Sequence, residues 1–460
     1  MSTEQKRPTA TEQGQPTLRS DFSWTLVGNA IYAAGQFAIL MLLAKLVRPA
    51  LVGQYALGLA IVYPVMMFTN LQLRAVMTSG SRKHVHFGNY LTLRLLTTSV
   101  SFLLILGITR ALHYESDLTA VVLMVGAAYA VETISEVYYA RLQLHDKMAT
   151  IAKSLIARAV LSVLGLAVLT YFTRNILWGI AGVALARAIV LFAYDIRERT
   201  HGLERNASCL RRNDALMPRL DFRTQGELLW VSLPLGVVVL LGCFSSSVPN
   251  FFIKHALGER EVGIFAAIGF MVSVGNMAVV SLGQSAFTRL ARSFAAGDFG
   301  VFASLVGKLA AFGAGIGIFG MIVSKFAGRE ILTIVFRPEY AEHADLLTWI
   351  MAAGGMLYMA QFLGFGLTAA GFYNSQVVLN ILANASLFAA CYWFVERRGL
   401  LGAILAMLIG ATVQLAASGA ILAIGMRKQM RLSGEKADRE EIVASMPVSA
   451  ERSPAFNGGD

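Results

Sequence analysis

Apolar runs of roughly 20 residues, the length that a bilayer's hydrocarbon core demands, recur along the chain. They fall at about 23–44, 51–69, 88–108, 118–139, 150–172, 176–194, 226–253, 261–282, 302–323, 345–368, 374–395 and 400–426. The pattern predicts about twelve membrane-spanning helices joined mostly by short polar turns. Residues 1–22 form a polar amino tail, and the first run begins near Trp24 with no small-residue cleavage site at a suitable distance. That run is therefore expected to persist as an uncleaved anchor. The stretch 323–345 is the least regular, and its amphipathic segment Ile331–Phe336 is open to a surface-lying reading.

Composition agrees with the pattern. A chain of 460 residues that is 56% hydrophobic and 15% charged, with mean hydropathy +0.60, is too apolar for a soluble enzyme. The formal charge of +11 resides in short connections beside apolar runs, where topology and anionic headgroups account for it and nucleic acid is not needed. Lys and Arg number roughly 23 on one set of connections, counted with both tails, and roughly 11 on the other, which places both termini in the cytoplasm. The longest connection, 195–225, carries Arg197, Arg199, Arg205, Arg211, Arg212, Arg219 and Arg223. The tail 427–460 is polar, lacks apolar periodicity and reads as disordered. The cysteines Cys209, Cys243 and Cys391 have no paired spacing, and neither a Walker loop nor HExxH is present, so no metal site or cofactor is expected.

The basic connection separates a half at 23–194 from a half at 226–426, and the halves echo one another. Val52-Gly53-Gln54-Tyr55-Ala56 resembles Val262-Gly263-Ile264-Phe265-Ala266, and Phe87-Gly88 before Arg94 matches Phe299-Gly300 before Lys308. The expected fold is an all-α polytopic membrane protein with two similar six-helix bundles around a central cavity.

Charge inside the spans points to a site. Arg94, Lys153, Arg158, Arg187 and Lys308 fall within apolar runs, where each costs about 2.5–3.5 kcal/mol at the centre of a lipid-facing helix. Arg94, Arg158, Arg187 and Lys308 lie roughly 9–12 Å in from the cytoplasmic ends at 1.5 Å per residue. A basic vestibule at that depth would concentrate anions, and phosphate suits the guanidinium fork. Glu132, Glu136, Tyr139 and Gln143 form one stripe on a helix, and Glu132 and Arg158 are equidistant from His145 in the turn between two spans. Two readings stand open: an ion pair that only holds this hairpin together, or carboxylates that bind a proton and gate or couple transport. Asn29 and Gln36 in the first span, and Gln376, Asn380 and Asn384 in the eleventh, recur at helical spacing and fit either a wet interior or helix-to-helix bonding.

The runs Val27-Gly28-Asn29 to Leu43-Ala44-Lys45-Leu46, Val52 to Ala60, and Asn70-Leu71-Gln72-Leu73-Arg74 resemble the amino half of Wzx-type polysaccharide flippases. So do Pro249-Asn250-Phe251-Phe252-Ile253, Leu257-Gly258, Val262 to Ala266, Gly328-Arg329-Glu330-Ile331-Leu332 and Glu339-Tyr340-Ala341. That family lies in the multidrug/oligosaccharidyl-lipid/polysaccharide exporter superfamily. The resemblance implies a bacterial inner-membrane flippase, not an enzyme, that moves an undecaprenyl-pyrophosphate-linked oligosaccharide to the outer leaflet, with polymerase and export proteins as downstream partners. The family's acidic positions and following Gln and Arg are matched by Glu132, Glu136, Gln143 and Arg158, although a frequent Asp is Glu136 here. Under this reading Arg74, Arg94, Arg158, Arg187, Lys308, Asn29, Gln36, Asn380 and Asn384 line the substrate vestibule, and Glu132 and Glu136 couple or gate. The alternatives are a multidrug extrusion antiporter, which would want a carboxylate-dominated vestibule, a lipid II flippase with two extra spans, and a membrane-embedded glycan polymerase or glycosyltransferase, which would want a large polar loop outside the bilayer.

Overall fold

The computed structural model describes residues 18–78, 85–145, 147–197 and 221–445, with side chains from residue 23 to residue 431 except at 238, 373 and 374. Within these bounds the protein is helical and contains no strand. The helices are α1 (Leu18–Leu46), α2 (Pro49–Asn70), the short α3 (Leu73–Thr78), α4 (Phe87–Ala111), α5 (Ser116–Leu144), α6 (Met148–Thr173) and α7 (Ile176–Val190). A π-helical turn, Leu191–Asp195, continues α7. There follow α8 (Phe222–Leu257), α9 (Glu259–Ala295), α10 (Phe299–Val335), the single turn α11 (Pro338–Ala341), α12 (Ala344–Ala369) and α13 (Tyr373–Ser445).

Local chemistry sets the ends. Pro49 occupies the first turn of α2 after an extended Arg48, where its missing N–H has no intrahelical partner to lose. Asn175 caps α7 by accepting from the Leu177 amide at 2.9 Å, and Asp221 caps α8 through the amides of Arg223 and Thr224. In α8 the axis bends by 42° between Phe222–Val237 and Val239–Leu257. Pro234, which removes one helical hydrogen bond, lies within a turn of that break.

Among the described residues ten helical stretches are long and apolar enough to cross a bilayer, and the bent α8 makes an eleventh. At Gly399 (φ 58°, ψ −136°) α13 is not helical, a conformation that only glycine adopts cheaply. The chain reverses there, so that a Cβ on Gly410 would lie 3.3 Å from Leu387 Cβ. Counted as two passes, α13 brings the spans to the twelve apolar runs. Two boundaries differ from expectation. Helix α10 runs on through Ile331 to Val335, and at 37 residues it spans roughly 55 Å at 1.5 Å per residue, well beyond a roughly 30 Å core. Helix α13 continues through 427–445 because Met, Arg, Lys and Gln carry it past the apolar run; residues 446–460 and 198–220 lie outside the described residues.

Lipid-facing chemistry is explicit in Phe172, Leu103 and Phe319, large apolar side chains left on the outside, which is the arrangement a hydrocarbon solvent permits. Inside, one apolar cluster joins Val52 and Leu57 of α2 to Val262 and Ile264 of α9. The echoed motifs meet face to face there. A Cβ on Gly263 would lie 2.8 Å from the Gly53 nitrogen, and one on Gly53 would lie 3.1 Å from the Gly263 nitrogen. Both glycines are needed for that backbone approach. At the same crossing Gln54 Nε2 donates to Glu259 Oε2 at 2.9 Å, and Lys254 pairs with Glu259 Oε1 at 2.5 Å.

Candidate functional site

Helices α1, α5, α6 and α7 are drawn together by small residues. A Cβ on Gly28 would lie 2.8 Å from Ala152 Cα, and one on Gly35 would lie 2.8 Å from Ala159 Cβ, so α1 lies directly on α6. Gly165 and Gly182 approach backbone to backbone where α6 crosses α7. From that antiparallel crossing, Ser154 on α6 and Asp195 beyond α7 both lie about three turns away on the same side. They meet, with Ser154 Oγ donating to Asp195 Oδ1 at 2.5 Å.

Arg158 is the centre of the buried part of the site. Its side chain is 1% exposed and its Nη2 donates to Asp195 Oδ2 at 3.2 Å and to the Tyr139 hydroxyl at 2.7 Å. The Tyr139 hydroxyl shares a further hydrogen bond with Ser154 Oγ at 2.7 Å. The expected partner of Arg158 was Glu132, and the structure corrects this. Helix α5 packs mainly on α2, α4 and α7, whereas α6 packs on α1 and α7, so α5 and α6 touch only lightly despite their short connection. Glu132 instead accepts from Arg187 Nη1 at 2.6 Å and from the Tyr32 hydroxyl at 2.5 Å, and Gln36 Nε2 donates to Tyr32 at 2.7 Å. Arg187 also donates to the Ala128 carbonyl at 3.2 Å, and its guanidinium lies 5.1 Å from the Tyr129 ring centroid.

The more accessible part is Arg74 on α3. Its Nη1 pairs with Glu136 Oε2 and its Nε donates to Gln143 Oε1, both at 3.0 Å. The side chains of Arg74 and Glu136 are 33% and 27% exposed. The Tyr139 ring is shared by the accessible arginine and the buried one, with the Arg74 guanidinium 5.8 Å and the Arg158 guanidinium 5.3 Å from its centroid. Arg94, 1% exposed, donates to Asn70 Oδ1 at 2.6 Å and lies within electrostatic reach of Glu136. Buried Nε atoms of Arg94, Arg158 and Arg187, with Nη1 of Arg158, have no protein partner, so the guanidinium layer retains donor capacity.

Four arginines and three carboxylates thus share one half of the protein. Arg74, Arg94, Arg158, Arg187, Glu132, Glu136 and Gln36 all belong to this region, but the other candidates do not. Lys308 is exposed on α10, where it lines a separate cavity of about 400 Å³ with Arg289. It is not in the arginine layer, because its helix packs on α12 in the other half of the chain. Lys153 is exposed too, 5.8 Å from the Trp24 ring centroid. Asn29 is exposed and bonds to the Thr25 carbonyl of its own helix. Asn384 ties helices together by donating to the Leu241 carbonyl while Ser245 donates to it. Asn380 lines a cavity in the carboxyl half.

Sequence reasoning missed Asp195 by placing it at the start of the polar connection. The π-turn explains the miss: the Ile196 amide bonds to the Leu191 carbonyl, five residues back, and the wider turn carries Asp195 inward to 2% exposure. Ser154 and Asn70 carried no signal beyond their polarity.

Relatives share this frame. The capsular polysaccharide biosynthesis protein CapF of Staphylococcus aureus is 24% identical over 399 residues, covering 86% of this chain and 96% of CapF. Among solved structures, the lipid II flippase MurJ in an inward closed conformation matches with a TM-score of 0.68 at 10% identity, covering 87% of both chains. A Vibrio cholerae MATE transporter, VcmN, matches with a TM-score of 0.58 at 14% identity, covering 90% of this chain and 96% of that one. At these identities the structural likeness is one of fold. Residues 18–294, more than half of the chain and all of the arginine layer, match the polysaccharide biosynthesis protein family, and this multi-pass membrane protein belongs to that family.

Proposed function

We propose that the protein is a flippase that carries an undecaprenyl-pyrophosphate-linked oligosaccharide from the inner to the outer leaflet of the bacterial cytoplasmic membrane, by alternating access and with both termini cytoplasmic. The observation that carries this reading is Arg74: a partly accessible guanidinium at the edge of a region holding three further, fully buried arginines. A pyrophosphate offers several oxygens that match a guanidinium fork. To receive it, Arg74 exchanges Glu136 for a phosphate oxygen, so the carboxylate serves as the resident anion of the empty site. Glu132, held by Arg187 and Tyr32, is the second carboxylate positioned to gate or couple that exchange.

The packing also suggests where the lipid tail runs. Helix α2 lies closely along α8, where a Cβ on Gly236 would lie 2.7 Å from the Phe68 carbonyl oxygen. Helix α1 meets α9 over a short stretch that includes the stacked rings of Phe37 and Phe270, 5.5 Å apart. The looser seam is the side on which a prenyl chain remains in lipid while the headgroup enters. A drug-extrusion antiporter fits less well, because all three carboxylates of this region are already bridged to arginine.

A deletion strain analysed for lipid-linked intermediates tests the reading. Accumulation of an undecaprenyl-linked oligosaccharide in the inner leaflet is expected. Unchanged lipid-linked pools with altered drug sensitivity would instead assign the protein to drug extrusion.

A further inference from the structure

The carboxyl half holds a half-open cavity of about 370 Å³ between α8, α9, α12 and both arms of α13. Its volume falls within the roughly 300–1,000 Å³ range of small-molecule sites. No Asp, Glu, Lys, Arg or His lines it. What lines it instead is a set of carboxamides, Asn276, Gln361, Asn380 and Gln414, together with Ser273 and the Tyr358 ring.

These amides are not structural clamps. Along one face of α13, Gln376 donates to the Gly364 carbonyl at 3.0 Å and to Thr368 Oγ1 at 2.8 Å, and Asn384 donates to the Leu241 carbonyl at 2.9 Å while accepting from Ser245 at 2.7 Å. Asn380, between them in the same row, has no side-chain partner among the described residues. The same holds for Asn276, Gln361 and Gln414. All four carboxamides are half-buried with polar atoms open to the cavity, so a partner with many hydroxyl or amide groups can take the place of water on them. Each offers two N–H donors and a two-lone-pair acceptor. The Tyr358 hydroxyl is already committed to the Val272 carbonyl, so its ring serves as a wall.

We infer that this cavity is a binding site for an uncharged sugar residue, separate from the arginine layer that faces the anionic linkage. The inference rests on the flippase reading and assigns its two halves different chemistry: charge recognition in the amino half, neutral sugar recognition in the carboxyl half. A ring bearing hydroxyl and acetamido groups matches the alternating donors and acceptors. A uronate is rejected, because its carboxylate would be desolvated with no cation within the cavity to receive it.

The test uses the purified full-length chain in detergent and free sugars as probes. N-acetylglucosamine and glucuronate are compared by saturation-transfer NMR against wild type, Gln361→Met, Gln414→Met and Arg74→Ala, each checked for an unchanged thermal transition. N-acetylglucosamine is expected to bind wild type and Arg74→Ala alike, at least tenfold more tightly than glucuronate, and to lose at least tenfold in both Gln variants. Equal binding in wild type and both Gln variants, glucuronate binding as tightly as N-acetylglucosamine, or no sugar binding at all would overturn the inference. Failure of the flippase reading shows separately, as unchanged lipid-linked pools in the deletion strain even while sugar binding follows the pattern above.

Discussion

Replacing Arg158 by Met leaves the Asp195 carboxylate, with no side-chain exposure, facing the Ser154 and Ser135 hydroxyls but no cation. Breaking a buried pair from one side costs about 3–5 kcal/mol, or about two to three and a half decades in the folding equilibrium at roughly 1.4 kcal/mol per decade. Replacing Asp195 by Leu alone strands the guanidinium instead and costs a similar amount. The double variant Arg158→Met/Asp195→Leu removes both charges, and the hydrogen bond between Tyr139 and Ser154 survives. Buried pairs exchanged together for apolar groups are often neutral or stabilising by about 1–4 kcal/mol, so the double variant should unfold close to wild type. It should also keep measurable polysaccharide export, because the net charge of the region is unchanged and Arg74 remains. Thermal unfolding of the full chain in detergent and cellular protein levels read the stability, and surface polysaccharide reads the export. A double variant as unstable as the sum of the two single ones, giving a coupling below about 0.5 kcal/mol, would refute the role assigned to the pair.

Other outcomes follow from the same geometry. Arg74→Ala should abolish export with normal protein levels, because a partly exposed ion pair contributes only about 0–1 kcal/mol to folding; retained export measured as surface polysaccharide would remove Arg74 from the substrate site. Lys308→Ala should leave export unchanged, since Lys308 is exposed in a separate cavity. Gly53→Val should lower stability by about 1–3 kcal/mol, read as a lower thermal transition, because its side chain would enter the Glu259 and Gly263 backbone rather than a movable side chain. At the start of α8 the Thr224 hydroxyl, followed by the amides of Thr224 and Arg223, holds the Asp221 carboxyl below its ordinary range. A carboxylate with a depressed folded value stabilises the helix start above the unfolded pKa and loses that effect as pH falls through the folded one. Amide exchange at Arg223 and Thr224 should therefore show protection near neutrality that disappears in acid, and Asp221→Ala should show no such pH dependence.

The helical frame was legible because hydrocarbon imposes a length and an apolarity that few soluble segments share. The echo of Val52-Gly53 in Val262-Gly263 was also legible, and its physical content proved to be a contact between the echoed residues themselves. Charge placement was legible in part. Spacing on α5 set Glu132, Glu136, Tyr139 and Gln143 in one polar stripe, and each of the four bonds to an arginine, but equal distance from a turn does not make two helices pack, and Arg158 took Asp195 as its carboxylate partner. Asp195 was hidden because a π-turn breaks the period on which the spacing argument depends. Lys308 was misplaced because a match in sequence position between the halves says nothing of which side of the helix is buried. The row Gln376, Asn380 and Asn384 looked uniform, yet its outer members are clamps and its middle member faces a cavity, a difference set by neighbours on α8 and α12.

The most direct test of the central claim is leaflet accessibility of an undecaprenyl-pyrophosphate-linked oligosaccharide in proteoliposomes containing the full chain. The account predicts protein-dependent movement of the oligosaccharide between leaflets, lost in Arg74→Ala and retained in Lys308→Ala. No movement above protein-free vesicles, from protein shown to be folded and inserted, would contradict it.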